Sequence, residues 1–178
     1  MDRFLRIKPE AFFLGAMCLY LLPFQWVIGA SAAAVVHEIA HLAALRITGA
    51  SICSVTVGAL GAKIETGPLE AGQEVLCSLA GPLGSFSMLL FCRVFPEAAL
   101  WGLVQGMFNL IPVYPMDGGR AIRCFLPDTI TRWVEKISLS LLLVTGIWMR
   151  WLWFSVFILA LGCMERKYPC KATEKAVQ

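Results

Sequence analysis

Six apolar runs divide the sequence and leave little room for a water-soluble fold. The runs are Phe12–Leu22, Trp26–Leu45, Val75–Val94, Ala98–Ile111, Ile137–Trp148 and Trp151–Cys163. Some are shorter than the ~20 residues that cross a bilayer, but short helices are tolerated where other protein covers them. Apolar residues make up 58% of the chain and charged residues 15%, against roughly 45–50% and 25% in soluble domains. We therefore predict an all-α polytopic membrane protein with about six transmembrane helices.

The basic residues indicate how these helices are oriented. With six crossings, thirteen of the fifteen lysines and arginines fall on the side that holds the N-terminus, and only Arg93 and Arg150 fall on the other. Basic residues concentrate on the cytoplasmic side, so both termini are predicted to be cytoplasmic. A single helix over 137–163 would place Arg150 near the middle of the membrane, so two short helices are favoured. A net charge of +3 gives no indication of nucleic-acid binding.

One segment between the second and third apolar runs has a different pattern. In 51–67, SICSVTVGALGAKIETG, β-branched residues stand near alternate positions, interrupted by Gly58 and Gly61. This alternation predicts a small β-hairpin at the cytoplasmic face, and the stretch 66–72 predicts a turn after it. No internal repeat or linker to a second domain is visible. We therefore expect residues 1–178 to form a single membrane-embedded core.

Both histidines of the chain lie inside the second apolar run, in VVHEIAHLAA at 35–44. On a helix, His37 and His41 share one face, and Glu38 projects beside them. This is the H-E-x-x-H arrangement of zinc hydrolases, in which two neutral imidazoles bind the metal and the glutamate is the general base. The alternative is that the histidines only form hydrogen bonds between helices. The cost of placing three ionisable groups in a membrane helix favours the metal site.

A third protein ligand must come from a carboxylate or a cysteine, because no other histidine is present. The seven cysteines form no C-x-x-C pair, so they suggest neither a disulfide framework nor a zinc site of their own. Asp117 lies in NLIPVYPMDGGR at 109–120, at the same predicted cytoplasmic end as His41. An aspartate there would help to neutralise a divalent cation. Alternatively, Asp117 caps a helix that begins at Gly118.

Three motifs together resemble the site-2 protease family of intramembrane zinc metalloproteases. They are HEIAH at 37–41, AGPLGS at 80–85 and NLIPVYPMDGGR at 109–120, and their order and spacing cover nearly the whole chain. The compact six-helix layout, without a PDZ or CBS domain, is most similar to the bacterial type that includes sporulation factor-processing proteases. The resemblance therefore implies a multi-pass protein of a bacterial cell membrane.

The resemblance also implies roles for individual residues. It makes His37, His41 and Asp117 the ligands of one zinc ion and Glu38 the catalytic base. Four further residues would shape the active site and the path of the substrate: Gly81, Ser85, Asn109 and Pro112. The alternative for Gly81 and Ser85 is close helix packing, and for Asn109 a hydrogen bond between helices.

The activity implied is hydrolysis of peptide bonds in transmembrane or membrane-associated substrates near the cytoplasmic face, as in regulated intramembrane proteolysis. An unwound substrate segment would add as a strand to the 51–67 hairpin. Expected partners are a membrane-protein substrate, the lipid bilayer, and a regulatory membrane protein or a second copy of the chain; nucleic acid is not expected. The alternative function is a catalytically inactive relative acting as a membrane chaperone or adaptor. A metal transporter is disfavoured, because no second polar helix could carry an ion onward.

Overall fold

The computed structural model describes residues 5–58 and 61–148. Within these residues there are six α-helices, one 3-10 turn and three β-strands. In chain order they are β1 Leu5–Ile7, α1 Pro9–Leu21, α2 Phe24–Ile47, β2 Ile52–Gly58, β3 Gly61–Thr66, α3 Ala71–Ser87, the 3-10 turn Met88–Phe91, α4 Pro96–Asn109, α5 Asp117–Arg123 and α6 Asp128–Trp148. The chain divides into two compact units, Met1–Leu110 and Ile111–Gln178.

Five of the six apolar runs coincide with helices, namely α1, α2, α3 with its 3-10 turn, α4 and α6. The sixth run, Trp151–Cys163, lies outside the described residues, and so does the choice between one and two helices over 137–163. Helix α5 was predicted only in the capping alternative for Asp117, because its sequence, DGGRAIR, contains no apolar run. The capping alternative for Asp117 is wrong in detail: α5 begins at Asp117 itself, and Met116 stands at the cap position.

The lengths of the helices support membrane crossing only in part. In the portions of the chain that the structure describes, two helical stretches are long and apolar enough to cross a bilayer, Phe24–Ile47 and Ala71–Phe91. Helix α1 is apolar but shorter. The mostly helical architecture is therefore confirmed, whereas a six-crossing arrangement stays a proposal.

The predicted hairpin is confirmed as strands β2 and β3, which pair in antiparallel register from Ile52↔Thr66 to Gly58↔Gly61. Strand β1 adds to β2 in parallel and completes a sheet in the order β1-β2-β3. Three residues are too few to show an alternating pattern, so the sequence gives no sign of β1. On the exposed face of the hairpin, a hydrogen bond from Ser54 and the nearby Lys63 ammonium lower the pKa of Glu65.

The core of the first unit consists of α2 packed against α3 and α4. The buried residues of α2 recur every four positions and form one stripe: Gly29, Ala33, His37, His41 and Leu45. Small residues let the backbones approach closely. A Cβ on Gly29 would lie 2.9 Å from Glu97 and Ala98, and one on Gly102 would lie 2.5 Å from the Ser85 carbonyl oxygen. The two histidines thus lie on the face of α2 that packs against its neighbours.

Candidate metal centre

Helix α3 fixes the orientation of both imidazole rings. The Nδ1 atom of His41 lies 2.7 Å from the carbonyl oxygen of Cys77. A carbonyl oxygen only accepts hydrogen bonds, so Nδ1 must carry the proton and Nε2 keeps its lone pair. The Nδ1 atom of His37 lies 2.9 Å from the Ser85 hydroxyl, which can accept the same kind of bond. Histidine ligands of metal ions are usually oriented in this way.

The two Nε2 atoms converge. They lie 3.1 Å apart, with the rings edge to face. Two nitrogen ligands ~2.0–2.1 Å from a tetrahedral ion would lie roughly 3.3–3.4 Å apart. His37 is 4% exposed and His41 8% exposed. The pair therefore has the spacing, the burial and the fixed Nδ1 contacts that suit two ligands of one metal ion.

Gly81 on α3 provides the space that the two rings occupy. A Cβ at this position would overlap Nε2 of His41 and would lie 2.7 Å from Cε1 of His37. Gly84, one turn later, lies against Val36 and Ala40 of α2. The structure thus places Gly81 and Ser85 in contact with the histidine pair, through close helix packing and a hydrogen bond respectively.

Glu38 lies beside the histidines and is partly buried. Its carboxylate oxygen Oε1 accepts a hydrogen bond of 3.3 Å from the main-chain N–H of Ala62 in β3. The neighbouring Gly61, at φ +112°, lies at the start of the same strand. The hairpin therefore contacts the predicted general base through its backbone.

Asp117 belongs to the second unit and is 6% exposed. It is the first residue of α5, directly after a turn in which the Met116 N–H donates to the Val113 carbonyl at 2.8 Å. Its Oδ1 atom lies 4.0 Å from Nη1 of Arg120, one turn along the helix. A buried carboxylate at this helix end could serve as an oxygen ligand for a metal ion.

The remaining predicted residues stand close in sequence to Leu110, the last residue of the first unit. The side-chain amide of Asn109 donates to the Gln105 carbonyl of its own helix at 3.0 Å. Pro112 lies, partly buried, in the segment that leads to Asp117. The roles assigned to both residues in shaping the site stay predictions.

Sequence reasoning did not identify two contacts of the site, the Cys77 carbonyl and the Ala62 amide. Both are main-chain groups, which every residue carries, so side-chain motifs cannot reveal them.

The chain is similar to known metalloproteases, although no family model matches it. It is 32% identical over 126 residues to Rip3 of Mycobacterium tuberculosis, a protein named as a zinc metalloprotease. The match covers 57% of this chain and 32% of Rip3. A zinc metalloprotease of Methanocaldococcus jannaschii is 30% identical over 106 residues, covering 52% of this chain and 31% of that protein. The chain thus spans about a third of the length of these curated relatives.

The fold is also similar to a solved structure. The site-2 protease from Methanocaldococcus jannaschii aligns with a TM-score of 0.67 and 19% sequence identity, over 94% of this chain and 92% of that one. The fold and the named relatives together confirm the resemblance to the site-2 protease family that the three motifs indicate.

Proposed function

We propose that this chain, which has the site-2 protease fold and zinc metalloproteases among its sequence relatives, is an intramembrane zinc metalloprotease. It would hydrolyse peptide bonds of transmembrane or membrane-associated proteins near the cytoplasmic face. The observation that carries the proposal is the buried histidine pair, with each Nδ1 atom against an oxygen of α3 and the two Nε2 atoms 3.1 Å apart.

Three buried residues would hold the metal. His37, His41 and Asp117 each offer one ligand atom, and two imidazoles with one carboxylate make a group that could bind one metal ion. Such a donor set suits zinc. When bound, zinc would supply a Lewis acid and an open coordination position at which water loses its proton near neutral pH.

Glu38 is the proposed general base. Its carboxylate would take a proton from the attacking water and pass it to the amine of the departing peptide. The hydrogen bond from the Ala62 amide would keep the carboxylate oriented while no substrate is bound. Because this donor is a main-chain group of β3, the same strand that would meet the substrate also orients the base.

Large exposed apolar side chains support a location in the membrane. Soluble monomers rarely expose large contiguous apolar patches. In this structure, large apolar side chains are exposed on both α1 and α6. They include Phe12, Phe13, Tyr20, Trp133, Ile137, Leu141, Val144 and Trp148, each at least 63% exposed. Among the described residues, two helical stretches are also long and apolar enough to cross a bilayer. We propose a multi-pass protein of a bacterial cell membrane with six crossings and both termini in the cytoplasm, as the distribution of basic residues predicts.

Strand β3 is the proposed docking edge for the substrate. Within the described residues it pairs only with β2, so its other edge has main-chain groups available for a further strand. A helical substrate hides its carbonyls in internal hydrogen bonds and must unwind before hydrolysis. Pairing with β3 would replace part of the hydrogen bonding that is lost.

The test compares the wild-type protein with Glu38→Gln, both loaded with zinc and incubated with membranes from the source cells. New peptide N-termini inside apolar segments, detected by amine labelling and mass spectrometry, are expected only with the wild type and should disappear with a chelator. Zinc content should stay at one ion per chain in Glu38→Gln and be lost in His37→Ala. Equal processing by the wild type and Glu38→Gln would exclude the protease, and a zinc-loaded wild type without products would favour the adaptor.

A further inference from the structure

A buried ion pair joins the two helices of the second unit. The Nε and Nη2 atoms of Arg123 in α5 both donate to Oε1 of Glu135 in α6, at 2.9 and 2.7 Å. The side chain of Glu135 is 1% exposed and that of Arg123 is 17% exposed. Two donors on one rigid guanidinium fix the direction of α5 relative to α6 more tightly than an apolar contact would.

Arg123 also contacts the segment that precedes α5. Its guanidinium carbon lies 4.5 Å from the centre of the Tyr114 ring, in a cation–π arrangement. Gly119 packs directly against the backbone of Val113 and Tyr114, where a Cβ would overlap the chain. The segment before Asp117 and the helix that begins with it are therefore packed as one body.

Asp117 and Arg123 stand at opposite ends of α5, about 9 Å apart by helix rise. A helix of seven residues is too short to persist alone, so its orientation depends on tertiary contacts. We propose that Arg123 and Glu135 are positioning residues for Asp117: their ion pair aims α5 so that the carboxylate at its first residue meets the metal ion. This inference rests on the proposed function, because it assumes that Asp117 is a ligand.

Stability alone does not explain the pair well. Replacing a buried ion pair by apolar residues of similar volume is often neutral or stabilising, whereas removing one partner leaves an uncompensated charge. What the apolar replacement loses is the fixed direction of the guanidinium hydrogen bonds. A positioning role and a purely structural role therefore predict different results for single and double variants.

The test uses the purified full-length chain in detergent and compares four proteins. Glu135→Gln removes the charge of the acceptor, and the double variant Arg123→Met with Glu135→Leu replaces the whole pair by apolar side chains. Thr131→Val is the matched control: Thr131 is buried on α6 one turn before Glu135, and its hydroxyl donates to the carbonyls of Leu126 and Pro127, just before its own helix. Hydrogen exchange of residues 111–124 is measured without metal, and binding of Zn²⁺ and Co²⁺ and the visible spectrum of the Co²⁺ form are measured separately.

Both pair variants should exchange faster in 111–124 and bind metal at least tenfold more weakly, within the range of about 10–100-fold known for groups that orient ligands. Their Co²⁺ spectra should shift, while Thr131→Val should match the wild type in every readout. The double variant should unfold at the same temperature as the wild type, which separates positioning from stability.

A double variant with wild-type metal affinity and an unchanged Co²⁺ spectrum would overturn the inference. If the wild type binds neither ion, the proposed function fails instead. In that case the exchange measurement still decides the question: unchanged exchange in 111–124 would show that the pair does not fix this segment.

Discussion

At the scale of single residues, Gly81 shows how one missing side chain permits the site. The two imidazoles occupy the space that a Cβ at position 81 would need. The rings could swing away from an added methyl group only by leaving the Cys77 carbonyl and the Ser85 hydroxyl. Alanine is otherwise favoured over glycine in a helix by about 1 kcal/mol. Each buried hydrogen bond that is lost costs about 1–3 kcal/mol, which outweighs this gain, so both folding and metal binding are expected to be weakened.

We expect Gly81→Ala to abolish stoichiometric zinc binding and proteolysis and to lower the melting temperature of the metal-free protein. Metal analysis and thermal unfolding of the purified protein measure the two effects. Gly72→Ala is the control, since Gly72 lies on the same helix with nothing within 4 Å of an added Cβ, and it should keep full zinc content. Zinc content in Gly81→Ala equal to that of this control would contradict the packing argument.

Ser85 contributes to the site in a different way, because its hydroxyl contacts Nδ1 of His37 and so helps to orient that imidazole ring. Without the hydroxyl, the buried Nδ1 atom would lose the partner that lies 2.9 Å away, at a cost of about 1–3 kcal/mol. We expect Ser85→Ala to weaken zinc affinity by about 10–100-fold, measured by competition with a chelating dye. Ser87→Ala should leave the affinity unchanged, because the Ser87 hydroxyl donates to the Gly84 carbonyl of its own helix. Equal affinity in the two variants would remove Ser85 from the site.

At the scale of elements, strand β3 contacts the proposed general base Glu38 and also carries the proposed docking edge for the substrate. Substitutions at two glycines of the hairpin test this connection. Gly61 has φ +112°, a conformation that other residues adopt at a cost of about 1–3 kcal/mol. It precedes Ala62, whose amide contacts Glu38. Gly58, at the end of the paired strand, has no positive φ, and an added Cβ there would make only ordinary contacts.

We expect Gly61→Ala to lower kcat severalfold with unchanged zinc content, because relief of the strained backbone at position 61 would move the Ala62 amide away from Glu38. Gly58→Ala should retain wild-type kcat and a similar melting temperature. The assay is the appearance of new N-termini over time, at saturating zinc. If both variants turn over like the wild type, the amide contact does not orient the base.

Helices and strands differed in how well the sequence predicted them. Long apolar runs specify α2 and α3 through composition alone, and alternation specifies β2 and β3. In contrast, β1 and α5 have three and seven residues, too few for a periodic signal, and are ordered by contacts with β2 and α6. The candidate ligands His37 and His41 could be proposed from the sequence because H-E-x-x-H is a side-chain pattern. The Arg123–Glu135 pair was missed because Glu135 belongs to no motif, and no sequence pattern links it with Arg123 twelve residues before it.

At the scale of the whole molecule, membrane topology is the proposal with the widest consequences. The stretch Ala71–Phe91 has 21 residues, about 31 Å of helix, close to the ~30 Å hydrocarbon core of a bilayer. The hairpin precedes its N-terminal end, and Cys92 and Arg93 follow its C-terminal end. If this stretch crosses the membrane, the hairpin and Cys92 must lie on opposite sides.

Two exposed cysteines make this arrangement measurable: Cys53 lies in β2 and Cys92 lies directly after the 3-10 turn. In variants in which Cys53 or Cys92 is the single cysteine left and the other six are replaced by serine, a membrane-impermeant maleimide added to intact cells should label Cys92 and spare Cys53. Inverted membrane vesicles should give the reverse pattern, because the basic residues place the hairpin on the cytoplasmic side. Labelling of both cysteines from one side would show that Ala71–Phe91 does not cross. The histidine pair would then lie on a helix packed against a non-crossing partner, and hydrolysis within the bilayer would lose its structural basis.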